Sequence, residues 1–200
     1  MINEVLVEST NEIAVKKTSG GIMFTAPMIQ MNKRNRNNRI YPSELMQPIV
    51  DAYIRDVLKK NRAVGELHHP DPEDTGFINL ERVSHKIVKL ELRGDDYIGT
   101  AKVITGVPAG DVVQRLLEEG VVLGTSTRGM GSVDKNNIVT GYRLISAADI
   151  EYSPSAPDAF VSILTESDVL NNPIFDNLRE MVRRNNINAA FSAALKILKM

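Results

Sequence analysis

Two hundred residues, 42% of them hydrophobic and 24% charged, suffice for one domain with a sizeable core plus a tail. A formal net charge of -1 gives no global attraction to nucleic acid or to an anionic membrane. The absence of cysteine rules out disulfide staples and thiolate chemistry and suits an intracellular setting. No apolar run reaches bilayer-spanning length, and the start, with Glu4 and Glu8, has no basic and apolar signal pattern.

Residues 1–20 are polar and mixed, end in Thr18-Ser19-Gly20-Gly21, and read as a flexible leader. A strand is predicted from Ile22 to Met31, with Pro27 confining it to an edge or a bulge, and a basic, asparagine-rich loop follows to Arg39. Apolar residues at helical spacing, among them Met46, Val50, Tyr53 and Val57, predict a helix over 43–60 with Ser43 as N-cap and Pro48 near its first turn. A strand bearing Val64 and Leu67 then leads into the pair His68-His69 and a turn-rich stretch from Pro70 to Gly76. Val88, Leu90 and Leu92 alternate with Lys89 and Glu91, and with Ile98–Ile104 they form a hairpin across Gly94-Asp95-Asp96. Asp111 is the expected cap of a short helix that Gly120 ends, and Val121–Thr127 is the strand carrying Ser126. A second hairpin is expected at 134–144, and a tail beyond Ala159 contains a helix near 175–198. Many short strands broken by two or three helices predict an α+β, mainly β fold, a barrel-like sheet with packed helices.

Ser126 lies in the glycine-bracketed run Gly124-Thr125-Ser126-Thr127-Arg128-Gly129, downstream of His68 and His69 and upstream of Asp149. A serine hydroxyl attacks a carbonyl only with an imidazole to take its proton, and a third group normally fixes the tautomer of that imidazole. The chain has three histidines, the third being His85. Three blander readings compete. The serine can sit in an ordinary turn, the glycines can form an anion cradle, or Glu66, His68, His69, Asp71 and Asp74 can gather a metal. No Walker spacing supports the cradle, no HExxH spacing supports the metal, and Pro70 breaks the acidic segment.

Four blocks of the sequence, Asn35–Pro42, Gly65–Pro70 (GELHHP), Gly124–Gly131 (GTSTRGMG) and Asp149–Ala159 (DIEYSPSAPDA), resemble the prohead core proteases of tailed bacteriophages in content and order. That resemblance implies a herpesvirus-protease-like β-barrel and a serine endopeptidase that digests scaffold and trims capsid precursors inside the prohead, in the host cytoplasm. It assigns catalysis to His69, Ser126 and Asp149, with Arg128 and Gly129 supporting the oxyanion. His85 and Glu151 are the alternatives to Asp149. No cofactor or metal is implied, nucleic acid and membrane are not expected partners, and a homo-oligomer is expected. The family cuts after glutamate in Leu/Ile-x-Glu. Leu6-Val7-Glu8 and Leu164-Thr165-Glu166 match and make Glu8 and Glu166 self-cleavage candidates, although Leu178-Arg179-Glu180 matches too. The implied division is a leader or propeptide at 1–20, a protease domain at 21–165 and a removable tail at 166–200. The rivals are a noncatalytic scaffold component that keeps the fold and an anion-binding module. Selectivity for glutamate is open among Arg82, Arg128 and Arg143.

Overall fold

A computed structural model describes residues 21–70 and 76–163. The expected leader, the tail helix, Glu8, Glu166, Asp71 and Asp74 lie outside these residues. Strand β1 (Met23–Gln30) buries Phe24, Ala26 and Met28 by simple alternation, then slips register between Pro27 and Ile29, so that Ile29 is buried as well. The bulge falls where proline withholds a ladder donor, as its position in the sequence predicts. Helix α1 (Ser43–Tyr53) buries Met46, Val50 and Tyr53 and runs on into a π turn at Ile54–Leu58. Ser43 is not its cap. Pro42 holds the N-cap position, and the Asn32 side-chain oxygen, from a separate loop, accepts the Ser43 amide at 3.0 Å.

After β2 (Val64–Glu66), strands β3 (Val83–Arg93) and β4 (Asp96–Val103) form the expected hairpin, with Gly94 in the left-handed region at its tip. A bulge between Ile87 and Lys89 changes the inward set. Ile87 and Leu90 are buried, while Val88 is half-buried and Leu92 is exposed, against the plain alternation of the sequence. Helix α2 (Pro108–Glu118) begins before Asp111, with proline in its first turn. Asp111 instead accepts the Gly106 amide at 2.8 Å. Strands β5 (Gly124–Val133) and β6 (Val139–Glu151) pair along nearly their whole length, so the serine strand and the aspartate strand form one long ribbon. Asp134 closes its tip by accepting the amides of Asn136 and Ile138.

The fold is mainly β, with two α-helices among the described residues. The strands form two open sheets, an antiparallel five-stranded sheet in the order β2-β3-β4-β1-β7, where β7 is Ser162–Ile163, and the ribbon β5-β6. The expected barrel is not a continuous ladder. The sheets meet at their edges through isolated bridges, Leu67 to Ile150 on one side and Gly124 to Phe160 on the other. The core between them holds Phe24, Met28, Met46, Val50, Ile87, Val113 and Ile150.

Candidate active site

Opposite residues in an antiparallel pair project to the same face. Ser126 on β5 is directly opposite Asp149 on β6, and that register delivers a hydroxyl beside a carboxylate. The histidine arrives from the other side of β6. Gly65 makes this approach possible, because a Cβ there would lie 2.0 Å from the Ala148 carbonyl oxygen and 2.4 Å from the His85 ring. Freed of that clash, the chain after β2 runs along β6. The His68 amide donates to the Ile150 carbonyl at 2.9 Å, and the Glu66 amide donates to Asp149 Oδ1 at 3.0 Å.

His69 Nδ1 then lies 2.9 Å from Asp149 Oδ2. An ionised carboxylate only accepts, so the proton is on Nδ1 and Nε2 is the basic nitrogen. Asp149 is fully buried. Burial raises the pKa of this carboxyl, but the bonds from His69, Arg128 and the Glu66 amide outweigh it and hold the group below its ordinary value. It is therefore an anion at neutral pH. Ser126 is 6% exposed and His69 lies at the surface. Among the described residues no hydrogen bond joins the Ser126 hydroxyl to His69. His69 bonds Asp149, and Ser126 is the backbone cross-strand partner of Asp149; catalytic hydrogen bonds often tighten only when substrate is bound.

Arg128 is 3% exposed and bonded to three groups of the site. Its Nε donates to Asp149 Oδ2 at 2.6 Å, its Nη2 to Glu66 Oε1 at 2.5 Å, and its Nη1 to the Phe77 carbonyl at 2.7 Å. The guanidinium thus braces the two carboxylates. Gly129 leaves room for the Tyr142 ring and the Arg143 carbonyl, which a Cβ would meet at 2.4–2.5 Å. His85 is fully buried and turned elsewhere. Its Nε2 donates to the Ala148 carbonyl at 3.1 Å, and its Nδ1 accepts from Ser84 Oγ at 2.9 Å. Burial pushes its pKa down to about 4.

Glu151, the other alternative partner, accepts the His69 amide at 2.6 Å and bonds His68 Nδ1 at 2.8 Å. On a regularly extended chain only one of two adjacent histidines would reach this strand. His68, however, has a left-handed backbone (φ 67°), so both rings meet carboxylates of β6. Glu66 and His68, two members of the metal reading, are turned to Arg128 and Glu151 respectively. The bracing roles of Glu66 and Glu151 were not read from the sequence. The signal available was the alternation of Asp149 and Glu151 along one strand face. A small cavity lined by Ile29, Lys33, Tyr41, Thr127 and Pro157 lies where β5 faces β1, and the Thr127 hydroxyl there bonds the Met28 carbonyl.

Fold and site together define a mainly β protein in which a histidine from a neighbouring loop bonds a carboxylate of a two-stranded ribbon, with a serine at the cross-strand position of that carboxylate. The family model described as prohead core protein serine protease matches residues 3–169. The prohead core protein protease of Enterobacteria phage T4 is 31% identical over 153 residues, covering 71% of this chain and 68% of the relative. The solved bacteriophage T4 capsid assembly protease superposes with a TM-score of 0.60 at 28% identity, covering 65% of this chain and 81% of that one. The chain belongs to the prohead core protein serine protease family.

Proposed function

We propose that the protein is the serine endopeptidase of capsid maturation, acting inside the prohead on scaffold and core proteins and on the major capsid protein precursor. The observation that carries the reading is the bond from His69 to Asp149, on a carboxylate whose cross-strand neighbour is Ser126. Nε2 of His69 takes the hydroxyl proton as Ser126 Oγ attacks the scissile carbonyl, and Asp149 stabilises the imidazolium. The imidazolium protonates the leaving amine, and water releases the acyl group by the reverse proton route. Backbone amides near Ser126 hold the oxyanion. Arg128 supports the site through Asp149, and Gly129 through the packing of Tyr142.

The finer expectations belong to the same proposal. The edge bridges between the two sheets support a barrel related to that of the herpesvirus proteases. Cleavage follows glutamate in Leu/Ile-x-Glu, the enzyme is a homo-oligomer in the prohead within the host cytoplasm, and residues 21–165 form the protease unit. Cuts after Glu8 and Glu166 release a leader and a tail. The test incubates the purified chain with the scaffold of its prohead. Ser126→Ala and His69→Ala should each abolish cleavage while the thermal transition persists, and intact mass should show new termini after Glu8 and Glu166. Undiminished cleavage by Ser126→Ala overturns the serine mechanism, and an inactive wild type favours a noncatalytic core component. Unchanged ends remove self-cleavage alone.

A further inference from the structure

The short segment Leu67–His69 that presents the candidate base is held from two sides. Both oxygens of Glu151 are engaged, Oε1 by the His69 amide at 2.6 Å and Oε2 by His68 Nδ1 at 2.8 Å, and the carboxylate is nearly buried. From the other side Arg82 Nη2 donates to three successive carbonyls, those of Leu67 (3.1 Å), His68 (3.0 Å) and His69 (3.3 Å). Gathering three carbonyls on one nitrogen requires the chain to curl. The curl is supplied by the left-handed backbone of His68, a conformation that a residue with a Cβ rarely adopts. Such a residue persists only where its surroundings over-determine it.

We infer that Glu151 is a positioning residue for His69, that His68 serves to hold Glu151, and that Arg82 locks the loop from behind. The inference rests on the reading of His69 as the general base. It also explains the doubled histidine. The two imidazoles take the two carboxylates of one strand face in parallel, His68 on Glu151 and His69 on Asp149. Glu151 adds charge as well as geometry, since its Oε1 lies 3.7 Å from His69 Nδ1 without displacing Asp149 as the bonded partner. Among the described residues, the charged groups about His69 are Asp149 and Glu151 on β6, Arg128 on β5 behind Asp149, and Arg82 ahead of β3, with the titratable His68 beside it. Glu151→Gln removes the charge while keeping an oxygen for the His69 amide, so it separates the positioning contact from the rest of the side chain.

The test measures hydrolysis of a quenched-fluorescent peptide spanning Leu6–Glu8, or of prohead scaffold, by the full-length chain and its Glu151→Ala, Glu151→Gln and His68→Ala variants. Glu151→Ala should lower kcat about 10- to 100-fold with KM within about twofold, because misplacing a reacting group by about an ångström has that cost. His68→Ala should fall in the same direction. Glu151→Gln keeps an acceptor for the His69 amide and should recover most of kcat. A Glu151→Ala kcat within twofold of wild type, or a Glu151→Gln variant as impaired in kcat as Glu151→Ala, overturns the inference. The isosteric Gln variant keeps the test decisive if the Ala variant does not fold. If Ser126→Ala or His69→Ala still hydrolyses the probe, the site reading itself fails. If both are inactive while the Glu151 variants match wild type, only the positioning role fails.

Discussion

Replacing Arg128 by methionine keeps most of the side-chain volume and removes the cation between Asp149 and Glu66. All three side chains are essentially inaccessible, at 2% for Arg128 and 0% for each carboxylate. Breaking a buried pair by deleting one partner costs about 3–5 kcal/mol, because the remaining charge is stranded. Here the stranded groups retain some donors. Asp149 keeps His69 and the Glu66 amide, and Glu66 keeps the Asn79 amide at 2.8 Å with Arg82 Nε 3.3 Å away. The lower end, about 3 kcal/mol, is therefore expected, a fall of roughly 6–12 °C in Tm for a domain of this size. Calorimetry or urea denaturation across pH supplies a second reading. In the wild type the Asp149 pKa is depressed, so its contribution is complete above the unfolded value of about 3.9 and is lost as pH falls through the folded pKa. In the variant, burial is opposed by fewer donors and the folded pKa rises, so acid relieves the stranded charge. The stability gap should shrink between pH 7 and pH 4. A Tm within about 2 °C of wild type, or a gap that is constant or widens with acid, would refute the account of Arg128 as the cation that balances this site.

Buried His85 makes the fold acid-sensitive in a second way. Its folded pKa, about 4, lies below the unfolded value of about 6.5, so the unfolded chain takes up a proton first and stability is lost as pH falls through that interval, by up to roughly 3 kcal/mol. His85→Gln should flatten this part of the stability profile measured by urea titration, and an unchanged slope would show that His85 is not the group responsible. Gly65→Ala should destabilise by at least about 1–3 kcal/mol, since the new methyl would overlap the Ala148 carbonyl and the His85 ring. It should also reduce proteolysis more steeply than the folded fraction falls, because the displaced strand leads into the segment that bears His69. Activity tracking the folded fraction would argue against that coupling.

The bulge at Pro27, the β3–β4 hairpin and the two helices were legible because each rests on short-range chemistry: a missing amide, a glycine turn, helical spacing. Helix starts were less so. Ser43 and Asp111 are good caps by residue type, but the capping oxygen at α1 comes from Asn32, eleven residues earlier, and proline in the first turn of α2 sets its start upstream of Asp111. The ribbon was the larger omission. The predicted strand Val121–Thr127 and the hairpin expected at 134–144 are in the fold parts of one ribbon, in which Gly124, Gly129 and Gly131 each make room for a cross-strand or neighbouring group: Pro154, the Tyr142 ring and the Gly141 carbonyl. The candidate residues of the site could be named from four blocks. Their pairing could not, because the register that sets Ser126 against Asp149 depends on bulges at Ser126–Arg128 and beyond. Nor does the sequence reveal that Arg128, a charge beside the serine, is turned to Glu66 and Asp149.

The end of β6 reconciles these observations. Within four residues it offers the Ala148 carbonyl to His85, Asp149 to His69 and Arg128, the Ile150 carbonyl to the His68 amide, and Glu151 to both neighbouring histidines. Side chains and carbonyls of one strand thus hold the serine strand on one edge and the histidine loop on the other. Each contact spans a long sequence separation, so the site forms only after the two sheets have docked, and local propensity around Ser126 or His69 cannot create it in part. The same dependence makes the geometry sensitive to how closely β2 approaches β6, which is set by the missing side chain at Gly65. In the proposed mechanism the base, His69, is positioned by this tertiary pairing, and a shift of β2 against the ribbon would move His69 relative to Ser126 without breaking either strand.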